Sequence, residues 1–177
     1  MAVRESNTLT VILFEPHPDD AILFACYTLL REQPEVVTVF GEDNHRCEEG
    51  TDALSRVTGG VIEVWFALSR EHVRICRRMR NIDDGEMTVW APMVEADGHE
   101  DHNLVGWAAE DVFGDRCRFY ATYKRGHGRT RTDHEVIPEP DWYAKKFKAM
   151  SCYVSQINHP QMRPWFCSDD CLREWVA

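Results

Sequence analysis

The chain opens its first recognisable element at residues 8–14, a continuous β-branched and apolar run that predicts a strand buried on both faces. Pro16 breaks it. From Asp19 onward Ile22, Leu23, Cys26, Leu29 and Leu30 recur at helical spacing until Pro34 closes the pattern. The alternation then repeats: a strand over residues 36–40, a helix over 47–57 ended by Gly59-Gly60, and a strand over 61–68. A basic helix over 69–80, a fourth strand over 87–94, a helix over 103–113 and a fifth strand over 117–123 follow. A Gly, Arg and Thr-rich surface loop, a short strand near Val136, a helix over 141–157 and a short helix from about Ser168 complete the chain. Strands alternating with helices predict an α/β fold, a mostly parallel sheet flanked by helices.

The length of 177 residues suits one domain with one core. It is divided here into a main body over 1–160 and a tail over 161–177, whose short helix packs Trp165, Phe166, Leu172 and Trp175 onto the domain. No apolar run reaches the roughly 20 residues of a bilayer span, and the first residues lack a secretory apolar stretch. The expected protein is soluble and cytoplasmic. Seven cysteines, an odd number at scattered positions, predict free thiols. A net charge of −10 repels a polyanion and disfavours nucleic acid as a partner. Two basic clusters, Arg74 to Arg80 and Lys124 to Arg131, read as solvated faces or loops.

Two clusters carry chemistry. Pro16-His17-Pro18-Asp19-Asp20 follows the first predicted strand, and Gly98-His99-Glu100-Asp101-His102 follows the fourth. Ligands of open parallel sheets bind outside the carboxyl ends of strands, so two loops about 80 residues apart in sequence can meet in one crevice. His17, Asp20 and His102 would supply three ligands to a catalytic metal and leave a position open for water. Asp19, the adjacent spare carboxylate, is assigned as general base. His99 polarises the scissile carbonyl, as imidazolium, and Asp101 orients or charges a histidine from behind. Either cluster alone also reads as an acidic helix start. A third group, Cys167 and Cys171 with His159, lacks the second cysteine pair usual in a structural zinc site.

These residues resemble the LmbE-like, or PIG-L, family of metal-dependent N-acetylglucosaminyl deacetylases, marked by an apolar strand running into His-Pro-Asp-Asp and by a later His-x-Asp-His. Here they read His17-Pro18-Asp19-Asp20 and His99-Glu100-Asp101-His102. Arg46-Cys47-Glu48-Glu49 is similar to the family's Arg-x-x-Glu, and residues 146–156 to its Lys-rich helix closing on His-x-Ser-Gln. Tyr153 stands where His is usual, and Ser69-Arg70-Glu71 where a substrate-binding Asp is sought. The resemblance covers residues 8–157 and implies a Rossmann-like domain. It further implies Zn2+ or another divalent metal such as Fe2+, and hydrolysis of the linear amide of an N-acetylglucosamine-type conjugate. Arg46, Glu49 and, as a pocket wall, Tyr123 are the expected substrate-binding residues, with Trp142 and Tyr143 as further wall candidates.

Two other classes stay open at this point. One is a metal-dependent amidase acting on a non-sugar acylated amine or modified nucleoside. The other is a non-catalytic module that only holds a metal and a glycan.

Overall fold

The structure is a computed structural model that describes residues 10–41, 43–59, 62–65, 70–124 and 128–177. In chain order its elements are β1 (Val11–Glu15), α1 (Asp20–Phe24), α2 (Cys26–Glu32), β2 (Glu35–Thr38), α3 (Asn44–Ser55), β3 (Ile62–Val64) and α4 (His72–Ile82). There follow β4 (Thr88–Pro92), α5 (Glu100–Phe113), β5 (Cys117–Tyr120), β6 (Tyr123–Lys124), β7 (Gly128–Arg129) and β8 (His134–Glu135). The chain ends with α6 (Trp142–Met150), α7 (Val154–Asn158), α8 (Arg163–Phe166) and β9 (Trp175–Val176).

Seven strands form one sheet in the order β3-β2-β1-β4-β5-β9-β8. The first five run parallel, while β9 joins β5 and β8 antiparallel. This is the expected α/β, mostly parallel architecture. Because side chains alternate along a strand, Leu13 of β1 enters one core with α1, α2, α3 and α6, whereas Ile12 and Phe14 enter the other with α4 and α5. Both faces of the sheet are thus covered, which is why β1 reads as a continuous apolar run. Among the described residues, no helix is long and apolar enough to cross a membrane. All seven cysteines are free.

Several elements differ from the sequence expectation. The single helix expected from Asp19 to Pro34 is divided at Ala25. The carbonyl of Leu23 accepts hydrogen bonds from Lys146 Nζ and Arg129 Nη2, each at 2.9 Å, and the amide of Tyr27 donates to Glu174 Oε2 at 2.8 Å. The α-helical bond between those two backbone groups is therefore replaced by bonds to side chains from distant segments. The helix expected over 141–157 likewise divides, at Ser151 to Tyr153, where the Tyr153 ring is fully buried.

The fifth strand ends at Tyr120, and Tyr123–Lys124 turns away to pair with Gly128–Arg129. Arg129 is not a solvated cation. Its guanidinium lies 4.7 Å from the Phe24 ring centroid and 5.5 Å from that of Trp175. The last residues add β9 to the sheet beside β5, a strand without a sequence signal beyond its two residues Trp175 and Val176. Residues 8 and 9 of the expected first strand, 61 and 66–68 of the expected third, and 69 of the expected basic helix lie outside the described residues.

Candidate metal centre

The parallel strands β1 and β4 are neighbours, yet the chain leaves β1 toward β2 and β3 and returns to continue through β4 toward β5. Loops leaving such a pair diverge to opposite faces and open a crevice at their carboxyl ends. His17 to Asp20 occupy the loop after β1. His99 to Asp101 begin α5 beyond β4, with Asp101 and His102 in its first turn. The first loop is pressed from two sides. A Cβ at Gly50 of α3 would collide with the carbonyl oxygen of Pro18, so only glycine allows the approach. From the turn between α6 and α7, the Tyr153 hydroxyl donates to the same carbonyl at 2.7 Å. Tyr153, in place of the histidine usual in the resembling family, is thus a brace beneath the loop.

The structure brings the three expected ligands together. Asp20 Oδ2 lies 3.2 Å from His17 Nδ1 and 3.2 Å from His102 Nε2, and one donor atom from each of the three residues lies within 4.8 Å of the others. His102 is 1% exposed, its Nδ1 has no hydrogen-bond partner, and its Nε2 has only the 3.2 Å contact with Asp20 Oδ2. A buried nitrogen left unpaired costs about 1–3 kcal/mol unless something else satisfies it. A divalent cation among these donors would, so the residues fit a metal.

Asp101 stands behind His17. Its Oδ2 is 3.0 Å from His17 Nε2, which leaves Nδ1 on the side of Asp20 and His102. Arg70 in turn grips Asp101, with Nε 2.8 Å from Oδ1 and Nη2 3.2 Å from Oδ2. Burial pushes the Asp101 carboxyl up, but the bonds from His17 and Arg70 outweigh it and hold it well below the usual carboxylate range. His17 shows the opposite balance: burial disfavours its charge, and the carboxylates of Asp101 and Asp20 raise it to about 10. A second donor set, His17 with His99 and Asp101, has the same spacing. The Arg70 fork occupies both oxygens of Asp101, so the set with Asp20 and His102 is the better match.

Asp19 does not cap α1, since no side-chain hydrogen bond is made at that position. Its Oδ1 accepts from Arg46 Nη2, while Oδ2 is buried without a partner. Burial raises the Asp19 carboxyl, against the opposing charge of Arg46. Arg46, expected to face substrate, therefore holds the proposed base. Glu49 accepts from the Ser155 amide at 2.8 Å and from the Ser155 hydroxyl, tying α3 to α7 rather than lining the crevice. Trp142 and Tyr143 pack against Tyr27, with ring centroids 6.0 and 5.8 Å from it.

His99 is not an imidazolium. Burial, then repulsion from the neighbouring imidazoles of His102 and His17, push it down to about 4. Its Nδ1 accepts from the Asp101 amide at 3.2 Å, which puts the ring hydrogen on Nε2. The Tyr123 ring stands beside these histidines, with its centroid 5.2 Å from His102 and 6.1 Å from His99. Trp165 lies 4.9 Å beyond it.

Sequence reasoning missed Arg70, Trp165 and Glu15. Glu15 is fully buried, and its carboxylate oxygens face the Thr38 hydroxyl at 2.6 Å and the Ala21 amide at 2.9 Å. Burial lifts it to about 8 against those hydrogen bonds, with Asp20 and Asp19 adding to the rise. An acid closing an otherwise apolar strand was the available signal. His159, Cys167 and Cys171 do not come together as a ligand group. No family model and no curated protein matches this sequence.

Proposed function

We propose that the chain is a metal-dependent N-deacylase of the LmbE-like, PIG-L type, removing the N-acetyl group from an N-acetylglucosamine-type conjugate. The observation that carries this is the gathering of one donor atom each from His17, Asp20 and the buried His102 within 4.8 Å of one another, next in sequence to Asp19, whose Oδ2 is buried without a hydrogen-bond partner. The parallel order β3-β2-β1-β4-β5, with the site where the order reverses, supports a Rossmann-like reading of the domain.

His17, Asp20 and His102 would hold the ion, and their nitrogen and oxygen donors with one place left open suit zinc. When bound, zinc supplies Lewis acidity to the amide carbonyl and lowers the pKa of water. Asp19 Oδ2 takes the proton of the attacking water, while Arg46 fixes the other oxygen and so the direction of the free one. His99 donates from Nε2–H to the carbonyl oxygen as negative charge grows there; a neutral imidazole serves for this. Asp19 then returns the proton to the departing amine, leaving acetate and a free amino group. The half-buried rings of Tyr123 and Trp165 form an apolar wall suited to the face of a sugar ring.

The test is metal content together with acetate release from N-acetyl sugars, their conjugates and non-sugar acetamides, with and without a chelator. About one equivalent of metal, lost in His17→Ala and in His102→Ala, is expected at this centre, with chelator-sensitive release from a sugar. Total metal that does not fall by about one equivalent from wild type in both variants would remove the centre. Release only from non-sugar acetamides would keep the chemistry and replace the sugar.

A further inference from the structure

A second group of mixed donors lies on the opposite part of α5. His72 and Cys76, four residues apart on α4, share one face of that helix, and Asp111 reaches them from α5. His72 Nε2 is 3.6 Å from Cys76 Sγ and 3.3 Å from Asp111 Oδ2. One donor from each residue lies within 4.8 Å of the others. Donors bound tetrahedrally to zinc at about 2.0–2.3 Å stand roughly 3.4 Å apart for nitrogen and oxygen and roughly 3.6 Å apart for nitrogen and sulfur. The two measured separations, both from the same imidazole nitrogen, have these lengths.

We infer that His72, Cys76 and Asp111 form a second, thiolate-containing site for zinc or a similar borderline-soft divalent ion, stapling α4 to α5. One sulfur, one imidazole and one carboxylate favour such an ion over magnesium or calcium, which take oxygen donors. Thiolate and carboxylate together balance the charge of a divalent ion. Cys76 is 3% exposed and burial raises its thiol, so it carries a proton; the metal–sulfur bond forms as that proton passes to solvent. The partly exposed His72 and the exposed Asp111 leave the fourth position open to water. Asp111 lies nine residues beyond His102, about 14 Å along the helix, so the ion would be structural and stand apart from the hydrolytic centre.

Cobalt(II) titration of the full-length chain tests this without reference to activity, because the ligands proposed for the hydrolytic centre include no sulfur. The wild type should show a thiolate-to-cobalt charge-transfer band in the near ultraviolet that saturates at about one equivalent of that site, and Cys76→Ser should lack it. His72→Ala and Asp111→Asn, which change side chains at the protein surface, should keep the fold and weaken the binding that gives the band by at least about tenfold, since loss of even an outer partner commonly costs 10- to 100-fold. Absence of the band in the wild type overturns the proposal. So does a band that survives Cys76→Ser, which would place the sulfur elsewhere, or unchanged affinity in both surface variants.

Discussion

Oδ2 of Asp101 lies 3.0 Å from Nε2 of His17, joining a residue in the first turn of α5 to the loop after β1 across 84 positions of sequence. The bond fixes the ring so that Nδ1 faces Asp20 and His102. Metal-ligating histidines commonly pass their second nitrogen to a carboxylate, and losing that carboxylate costs about 10- to 100-fold in metal affinity. Asp101→Asn keeps the size of the side chain but removes its charge toward both His17 and Arg70. Its metal affinity, measured by competition with a chelator, should fall by that factor. An unchanged affinity would show that Asp101 serves only to tie α5 to the loop after β1 and to Arg70.

Asp19 and Asp20 are adjacent but face different tasks. Asp20 Oδ2 is shared between His17 and His102, whereas Asp19 offers one oxygen to Arg46 and has the other unpartnered. Asp19→Asn should retain metal near stoichiometry and lose about 10²- to 10⁴-fold in kcat, the usual cost of a general base. Asp20→Asn should instead lose metal. Metal analysis alongside steady-state kinetics separates the two, and reversed metal affinities would exchange the roles given to the neighbouring acids.

The order of helices and strands was legible because β1 and the helix beginning at Asp19 follow clear hydrophobic periods, and the two His and Asp clusters were legible because each follows a strand and precedes a helix. What local pattern could not supply were partners from far along the chain. Ala25 interrupts a helical period because Lys146, Arg129 and Glu174 take the backbone groups of Leu23 and Tyr27. Arg46 and Glu49 sit where the resemblance put them in sequence, but whether such a side chain meets substrate or another residue depends on which helix lies opposite. Here Asp19 and Ser155 do. The neutral state of His99 was hidden for the same reason: it follows from burial among two other histidines, which only the assembled crevice creates.

Asp83 and Arg116 give a pH dependence that is separate from the candidate centre. Two parallel bonds, 2.7 and 2.8 Å long, join the guanidinium to the two carboxylate oxygens and lower the Asp83 pKa. A carboxyl lowered on folding binds fewer protons in the native state, so its stabilisation is present above its unfolded pKa of about 4 and is lost as pH falls through the folded value. Being partly solvated, the pair should contribute roughly 0.5–1 kcal/mol. Asp83→Asn should therefore be less stable than the wild type at pH 7, and the difference should shrink below about pH 4. Urea unfolding of both proteins across that range checks it; a gap independent of pH would mean that the charge is not what Asp83 contributes.

Lys146 and Glu174 form an ion pair of 2.6 Å in which the side chains are 0% and 1% exposed. The same two groups hold the backbone where α1 gives way to α2, through the Leu23 carbonyl and the Tyr27 amide. Removing one member leaves the other charge in a medium that solvates it poorly, which costs about 3–5 kcal/mol, whereas removing both charges can be nearly neutral. Lys146→Met, similar in length and uncharged, should thus lose most of that amount in urea unfolding. The double variant with Glu174→Gln should recover a large part of it, because the Gln side-chain oxygen still accepts from the Tyr27 amide and Arg129 still donates to the Leu23 carbonyl. If the double variant were as unstable as Lys146→Met alone, the penalty would come from lost bonds to the backbone at Ala25 and not from an isolated carboxylate.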